Sequence, residues 1–501
     1  MNESVWYGAA PEAAPAETAP EGEFHAKMRV GCRYFLGLSA ALGGVFAACF
    51  VESGGLGLNL ALWSAAWCAW AHLGLKKLDL AVLRRDGRWY VGIILLGLSV
   101  FWTANEFIQA VSILGIMILQ CLWVLNVFAR VGDWHFGKAA AAVLMLPLRA
   151  LARITEPFQH LIRERKNRSG RGRYVLAGLA IAVPLGIIVT VLLASADAVF
   201  RELTRPLAQW DAPRFLQVIF ESLAAAVAVG AAFYALLCAQ TDKPENDAQR
   251  AVRKADTLVA VTFTGVLAVI YVVFCGIQIA VLFSGRGALL PQGYTYAEYA
   301  REGFFQLLAV SGINVLLVIV SQRRFVSSKV LRALLCVISA CTYIMEVSSA
   351  WRMRLYVQAY GLTFPRLLVL WFLTVLGVIL AGAVVTVYRP GFRLFRFSLT
   401  VCLCAWLVFA FARPDALAAR YDLRRFGCTD STLSAIRYEL SPDAIEELSP
   451  YLEGNAQDIA KYMDGYLDKG IPADYEAHGV RGFNYSRWRA NLTAEEYING
   501  R

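Results

Sequence analysis

The stretch that decides the fold runs from residue 89 to residue 129 and reads WYVGIILLGLSVFWTANEFIQAVSILGIMILQCLWVLNVFA. Glu106 is its only charged residue. An α-helix crosses a bilayer with about 20 apolar residues, so one helix of this length would be roughly twice as long as needed. We therefore predict two membrane helices, at residues 89–104 and 107–129, joined by a tight turn at Asn105 and Glu106.

The composition extends this conclusion from one stretch to the whole chain. Of the 501 residues, 58% are hydrophobic and only 17% are charged, and the mean hydropathy is +0.51. A soluble domain carries roughly 25% charged residues, because its surface has to remain hydrated. The chain is therefore predicted to be an all-α polytopic membrane protein, which excludes nucleic-acid binders and cytosolic enzymes.

Apolar runs bounded by charged residues predict the remaining membrane helices. Each crossing needs about 20 mostly apolar residues. Over the whole sequence this criterion gives eleven helices, at residues 34–51, 56–75, 89–104, 107–129, 174–193, 215–239, 258–283, 304–321, 334–351, 367–388 and 397–411.

The distribution of basic residues indicates how these helices are oriented. With the N-terminus in the cytoplasm, the inner loops hold 29 of the 48 lysines and arginines, the outer loops hold 8 and the C-terminal tail holds 11. Cytoplasmic loops carry an excess of basic residues, so every loop agrees with an odd number of crossings. The net charge of +10 therefore reflects the orientation of the chain in the membrane, with its basic loops inside. The C-terminus is expected outside the cytoplasm.

Three regions differ in composition. Residues 1–30 cannot bury enough apolar surface to fold, so we expect a disordered cytoplasmic tail. Residues 31–413 form the membrane bundle. Within it, the inner segment 130–173 contains an apolar stretch at 139–151 that is followed by a cluster of arginines. This segment fits either an interfacial helix with a basic flank against anionic lipid or an ordinary positive-inside loop.

The last region, residues 414–501, is predicted to be a small helical domain on the outer face. Ser441 precedes a proline in the pattern of an N-cap with proline at the first helical position. A second helix is predicted over residues 455–470. Thr493 and Glu496 have the spacing of a capping box, which predicts that another helix starts at Thr493.

Charged side chains in or near the membrane define the candidate site. A carboxylate inside a bilayer is costly unless it is paired, so each one is a functional candidate. The acidic residues of the membrane region lie at its outer side with arginines and tyrosines, which predicts an outward-facing polar cavity roofed by the tail. The candidate ligand-binding residues are Glu221, Glu298, Arg301, Glu302, Glu346, Arg352, Arg354 and Tyr356.

Two interpretations of these residues stay open. The cavity could bind a lipid headgroup, a glycan or a protein partner, in addition to the membrane lipids that surround the bundle. Alternatively, Glu221 and Glu346 could be paired by Arg301, Arg352 or Arg354 in a purely structural role.

Motifs for metals, nucleotides and nucleophilic catalysis are missing from the sequence. The eleven cysteines form no CxxC pair, and there is no HExxH, no Cys/His metal spacing and no GxxxxGK[ST] loop. We therefore predict no metal and no cofactor, and the sequence identifies no catalytic residue.

Six segments together are similar to a bacterial membrane family. They are SADAVF (195–200), YAREGFFQL (299–307), RMRLYVQAYGLT (352–363), ALAARYDLRRF (416–426), LSPDAIEEL (440–448) and GFNYSRWRA (482–490). The chain resembles the polytopic family of domain of unknown function 4153 and its relative 4173, although Asp422 stands where that family commonly has asparagine. The resemblance implies a multi-pass protein of the bacterial cytoplasmic (inner) membrane, and it implies no established activity.

Three functions are compatible with the sequence. The first is a non-enzymatic envelope or regulatory protein that binds a lipid, glycan or protein at the outer face. The second is an integral-membrane transferase in which Glu298 or Glu302 acts as a base on a lipid-linked substrate. The third is a permease, which would need inverted repeats and broken helices that the sequence does not show. The sequence favours binding, because Glu298 and Glu302 also fit a solvated helix start.

Overall fold

The structure is a computed structural model, and it describes residues 31–51, 53, 55–79, 86–129, 131–159, 212–238, 256–283, 296–389, 391–451, 459 and 480–499. Within these ranges every regular element is a helix, as the apolar pattern predicts. The predicted N-terminal tail at 1–30 and the predicted fifth membrane helix at 174–193 lie outside the described residues. Apart from residue 459, so does the predicted helix at 455–470.

The described part of the chain contains fourteen α-helices. In chain order they are α1 (Cys32–Phe50), α2 (Leu58–Leu78), α3 (Arg88–Trp102), α4 (Glu106–Phe128), α5 (Phe136–Ala152), α6 (Ala212–Cys238), α7 (Thr257–Phe283), α8 (Tyr296–Arg324), α9 (Lys329–Tyr360), α10 (Phe364–Tyr388), α11 (Leu394–Phe411), α12 (Pro414–Phe426), α13 (Asp430–Glu439) and α14 (Tyr485–Asn499). Short 3-10 helices lie at Val131–Asp133, Pro442–Tyr451 and Val480–Gly482.

Eight of these helices are long and apolar enough to cross a membrane, namely α1, α4 and α6 to α11. The predicted crossings at 56–75 and 89–104 form α2 and α3 but are not among the eight. α3 has only 15 residues, and α2 is long enough but contains Asn59, His72 and three tryptophans, which lower its hydropathy. The fold is therefore that of a multi-pass helical membrane protein, while the count of eleven crossings stays a prediction.

The turn between α3 and α4 comprises Thr103–Asn105, which overlaps the turn predicted at Asn105 and Glu106. Asn105 is extended and caps α4, because its side-chain oxygen accepts a hydrogen bond from the Ile108 N–H at 3.0 Å. Glu106 is the first residue of α4, where a carboxylate faces the positive end of the helix dipole. The predicted helical hairpin is therefore confirmed.

α1 to α4 and α6 pack around a core of aromatic side chains. Trp67 of α2 is fully buried, and its ring lies 5.3 Å from that of Trp123 on α4. Trp70, one turn after Trp67, lies 5.4 Å from Phe233 on α6. These contacts join helices that are far apart in the sequence, and they form the largest core of the described chain.

α1 and α6 make the closest helix pair in this bundle. A Cβ atom added to Gly43 would overlap the carbonyl oxygen of Ala226, and one added to Gly230 would lie 2.8 Å from the carbonyl oxygen of Ser39. Small residues let membrane helices approach backbone to backbone, which increases their van der Waals contact. The two glycines therefore set the distance between α1 and α6.

α7 to α10 form a second group of helices, and α11 packs against both α10 and α3. Several hydrogen bonds link helices of this group. The Asn314 amide donates to the Thr342 hydroxyl at 2.9 Å, and the Gln322 amide donates to the Ala383 carbonyl at 3.2 Å. Through its contacts with α10 and α3, α11 connects the two groups.

α5 forms over the apolar stretch of the inner segment. Ala139 and Ala150 are buried, whereas Leu144, Leu148 and Leu151 are 57–70% exposed on one face. A helix with an unpacked apolar face suits the boundary between headgroups and acyl chains. The contact of α5 with lipid stays a prediction, and the arginine cluster that follows lies mostly outside the described residues.

The tail has its own small core, formed by α12, α13, α14 and the 3-10 helix Pro442–Tyr451. The Ser441 cap is present, since the Asp443 N–H donates to the Ser441 hydroxyl at 3.4 Å, but it opens a 3-10 helix. The predicted helix start at Thr493 is wrong. α14 begins eight residues earlier, because the Asn484 side chain accepts the N–H of both Ser486 and Arg487 at 3.1 Å.

Candidate functional site

The turn between α3 and α4 is buried beneath the tail, which holds it through two aspartates. Asp443 accepts hydrogen bonds from the Ala104 N–H at 2.7 Å and from the Thr103 hydroxyl. The Asn105 amide donates to Asp415 at 2.7 Å. Both aspartates are fully buried. We call these contacts, together with those of Asn484 described next, the tail lock.

Asn484 completes the tail lock from the start of α14. Its amide donates to the carbonyl oxygens of Val100 and Thr103, both at 2.9 Å, and the residue is fully buried. Next to it, the ring of Tyr485 stacks flat on Trp102 with a centroid distance of 4.4 Å. The end of α3 is therefore held by carboxylate, amide and aromatic contacts at once.

Burial dominates the electrostatics of Asp415. It raises the pKa of this carboxyl group, although hydrogen bonds from Ser441 and Asn105 oppose the shift. One carboxylate oxygen, Oδ1, has no hydrogen-bond partner among the described residues. Asp443 raises the pKa of Asp415 further, because two carboxylates share this buried space.

A second carboxylate, Glu446, ties the tail together beside the lock. It forms ion pairs with Arg413 at 2.6 Å and with Arg489 at 2.8 Å. Burial alone would raise the pKa of Glu446, but the two arginines outweigh it and lower that pKa. Arg413 also donates to the Ser486 hydroxyl at 2.8 Å, so the segment after the last membrane helix is fixed to α14.

The tail is attached at a second place, the connection between α9 and α10. Asp422 accepts a hydrogen bond from the Leu362 N–H at 2.8 Å. Gly361 has a φ of +81°, and a Cβ there would lie 2.9 Å from the Asp422 carboxylate, so only glycine fits. Burial raises the pKa of Asp422, opposed by the Leu362 N–H and by Arg366. The aspartate therefore serves as an acceptor that joins tail and bundle.

An open surface remains on α12 between these attachments. It has a volume of about 520 Å³ and is lined by Leu417, Arg420, Tyr421, Arg424 and Arg425. We call it the basic groove. Three guanidinium groups beside a phenol ring suit an anionic ligand, because arginine pairs with phosphate and carboxylate groups. Elsewhere in the described chain, no group of three or more His, Cys, Asp or Glu residues could hold a metal ion.

The two membrane glutamates of the predicted site lie in different environments. Glu346 on α9 is 7% exposed, and its Oε2 lies 3.0 Å from the position that a Cβ of Gly377 on α10 would take. Its Oε1 has no hydrogen-bond partner in the described structure. Glu221 is exposed on α6 and accepts a hydrogen bond from Gln217 at 2.8 Å. Of the two glutamates, Glu346 therefore faces the interior of the described bundle and Glu221 does not.

The other described candidates lie along the last turns of α9. Arg352 donates to Gln278 of α7 at 3.2 Å. Arg354 stacks on a tryptophan one turn earlier, and the guanidinium of Arg366 lies 4.4 Å from the centre of the Tyr356 ring. The partners of these side chains thus lie on α7, on α9 itself and on α10, and a ligand site shared by the described candidates stays a prediction.

Glu298, Arg301 and Glu302 fall in the first turns of α8. Their side chains lie outside the described part of the structure. The predicted outward-facing cavity, which depends on these three residues, accordingly stays a prediction.

Sequence reasoning missed the residues of the tail lock, because their partners lie more than 300 positions away in the chain. Two features could have indicated them. The polar residues Thr103 and Asn105 interrupt the apolar sequence of the hairpin. Asp443 and Asn484 also fall within the tail segments LSPDAIEEL and GFNYSRWRA, which carry the family resemblance.

The helices and the attached tail define the class of protein, a multi-pass helical membrane protein with a small helical domain packed on one end of the bundle. The chain belongs to the family described as Domain of unknown function (DUF4153), whose model matches residues 90–451. The match begins in α3 and includes Asp415 and Asp443, so the aspartate contacts of the tail lock fall within it, whereas Asn484 lies beyond its end. The predicted family is thus confirmed, and no curated protein or solved structure matches the chain.

Proposed function

We propose that this protein is a non-enzymatic binding protein of the bacterial cytoplasmic membrane, with its N-terminus inside and its tail outside. In this proposal the basic groove binds a phosphate or carboxylate group carried by an envelope glycan or by a lipid of the outer leaflet. The observation that carries the proposal is an open groove with three arginines on a domain that is fixed to the membrane helices.

The groove is organised for binding before any ligand arrives. Arg420 is oriented by a two-pronged ion pair with Glu447, at 2.7 and 2.9 Å. Arg425 donates to the Gln358 carbonyl at 3.4 Å, at the end of α9. These contacts leave other N–H groups available. Because arginines held in position lose less conformational freedom on binding, they favour affinity.

The lining of the groove supports binding over catalysis. It consists of one leucine, one tyrosine and three arginines, and it includes no carboxylate that could act as a base. Glu447 is already paired with Arg420, so it is not available as a base. Tyr421 adds a ring against which a sugar could stack, and Arg424 is exposed and makes no ion pair with a described residue.

Binding of purified protein to two probes tests the proposal. One probe is polygalacturonate, a carboxylated sugar polymer, and the other is a nanodisc that contains phosphatidylglycerol. The double variant R424Q/R425Q should bind the preferred probe about tenfold more weakly, because two charge-assisted contacts are lost. R487Q, on α14 of the same tail, is the matched control and should bind normally.

The two probes also separate the two sources of the anionic group. Preference for polygalacturonate over neutral dextran indicates a glycan, and preference for the nanodisc indicates a lipid headgroup. Equal loss of binding in R487Q and in R424Q/R425Q would contradict a specific groove. No binding of either probe would contradict the function.

A further inference from the structure

A cavity of about 870 Å³ opens at the end of the bundle opposite the tail. It lies between the start of α3, the end of α4, the 3-10 helix Val131–Asp133 and the start of α11. The positive-inside rule places this end at the cytoplasmic leaflet, since the arginines of the loop between α10 and α11 lie here. The volume is in the range of pockets that hold small ligands, roughly 300–1,000 Å³.

The lining of this cavity changes from apolar to charged. Leu119 of α4 and Leu399 and Leu403 of α11 come from membrane-spanning helices and supply an apolar wall. The charged groups lie at the helix ends and in the short connections, and they are Asp86, Arg88, Asp133, Arg393 and Arg396. An amphiphile fits such a lining, because its chain can contact the leucines while its headgroup meets the charges.

The lining carries three arginines and two aspartates, so its net charge is positive. Arg88 pairs with Asp86 at 2.7 Å, and Arg393 pairs with Asp133 at 2.6 Å. Arg396 makes no ion pair within the described residues, and its stem lies over Gly132, where an added Cβ would come within 3.4 Å of Arg396 Cδ. The Arg396 charge helps to lower the pKa of Asp86, but the side chain is exposed in the cavity lining and can also contact an anion.

A neighbouring cavity of about 430 Å³ extends the same charge pattern. It shares Asp133 and Arg393 with the first cavity and adds Arg323 and Arg332. The Nε atom of Arg332 is buried and has no hydrogen-bond partner among the described residues. Leaving a buried donor without a partner costs free energy. An acceptor group of a ligand would therefore bind favourably at this end of the bundle.

We propose that the larger cavity is a binding site for an anionic phospholipid of the cytoplasmic leaflet, with the phosphate at Arg396 and an acyl chain along Leu399 and Leu403. Basic pockets between membrane helices at the cytoplasmic side suit such headgroups. The site is separate from the basic groove, and it goes beyond the proposed function because it concerns the opposite leaflet.

Native mass spectrometry of the full chain in detergent tests this site. The probes are phosphatidylglycerol and phosphatidylcholine with identical acyl chains, and the wild-type protein should retain phosphatidylglycerol preferentially. R396Q should weaken phosphatidylglycerol binding about fivefold, the effect of one arginine near an anionic headgroup, and leave phosphatidylcholine unchanged. R389Q removes an exposed arginine from the same loop outside the cavity and should change neither lipid.

Two results would overturn the proposal. Equal losses in R396Q and R389Q would show a general effect of positive charge with no defined site. Displacement of phosphatidylglycerol by an equal concentration of glycerol 1-phosphate would show a soluble anion site, because the acyl chain would then add nothing. Failure of glycerol 1-phosphate to compete, with a loss confined to R396Q, is the expected result.

Discussion

Asp443 is the residue on which the attachment of the tail to the α3–α4 turn depends. Replacing it with alanine leaves the Ala104 N–H and the Thr103 hydroxyl buried without their acceptor. Each unpaired donor costs about 1–3 kcal/mol. We therefore expect D443A to lower the melting temperature in detergent and to accelerate tryptic cleavage of the tail.

Two further variants separate hydrogen bonding from charge at this position. D443N should be close to wild type, because its oxygen can still accept from Ala104 while its amide donates to the Thr103 oxygen. E495A removes an exposed carboxylate of α14 and should have no effect on either measurement. If D443N were as unstable as D443A, the negative charge itself would be required and the hydrogen-bond explanation would be wrong.

Sequence reasoning does not identify the polar residues that form the tail lock. It singles out membrane glutamates such as Glu346 as candidate ligand-binding residues, because the cost of a charge in a bilayer can be read from position alone. Asp415, Asp443 and Asn484 lie in a polar tail where such residues are ordinary, and their burial depends on docking against a distant turn. No local pattern encodes that contact.

Among the elements, the α1–α6 pair offers the clearest test, since Gly43 and Gly44 are adjacent but differ in surroundings. A Cβ at Gly43 would overlap the Ala226 carbonyl, whereas a Cβ at Gly44 would meet nothing within 4 Å. G43A should force the helices apart and destabilise the bundle by about 1–3 kcal/mol, as overpacking does. The measurement is the melting temperature in detergent.

G44A is the matched control for this prediction. Alanine is a better helix former than glycine, so G44A should leave the melting temperature unchanged or slightly raised. Equal behaviour of G43A and G44A would mean that α1 and α6 do not approach as closely as the structure has them.

Hydrophobic runs predict the membrane elements well and their ends less well. The α3–α4 hairpin follows from length and from the two polar residues at its centre. The start of α14 does not follow from the sequence pattern around Thr493. Asn484 caps the helix earlier through its side-chain oxygen, and its side-chain amide donates to α3. Where one residue serves both a cap and a tertiary contact, local spacing cannot identify the true start.

For the whole molecule, the contacts of the tail define one end of the bundle. The tail touches the end of α1 through Arg481, the start of α2 through Phe483, the α3–α4 turn through Asp443 and the α9–α10 connection through Asp422. The more basic connections lie at the other end, such as that between α8 and α9, which is flanked by Arg323, Arg324, Lys329 and Arg332. The arrangement thus supports a tail on the side opposite the cytoplasm.

Fusion proteins test this orientation at both ends of the bundle. Alkaline phosphatase attached after Arg501 should be active and green fluorescent protein there should be dark, because the phosphatase folds only outside the cytoplasm and the fluorophore only inside. Insertion after Val326, between α8 and α9 on the basic end, should give the reverse pattern. Fluorescence at Arg501 would mean an even number of crossings. It would also place the basic groove in the cytoplasm and the larger cavity at the outer leaflet. Both the proposed envelope ligand and the proposed cytoplasmic-leaflet lipid would then be contradicted.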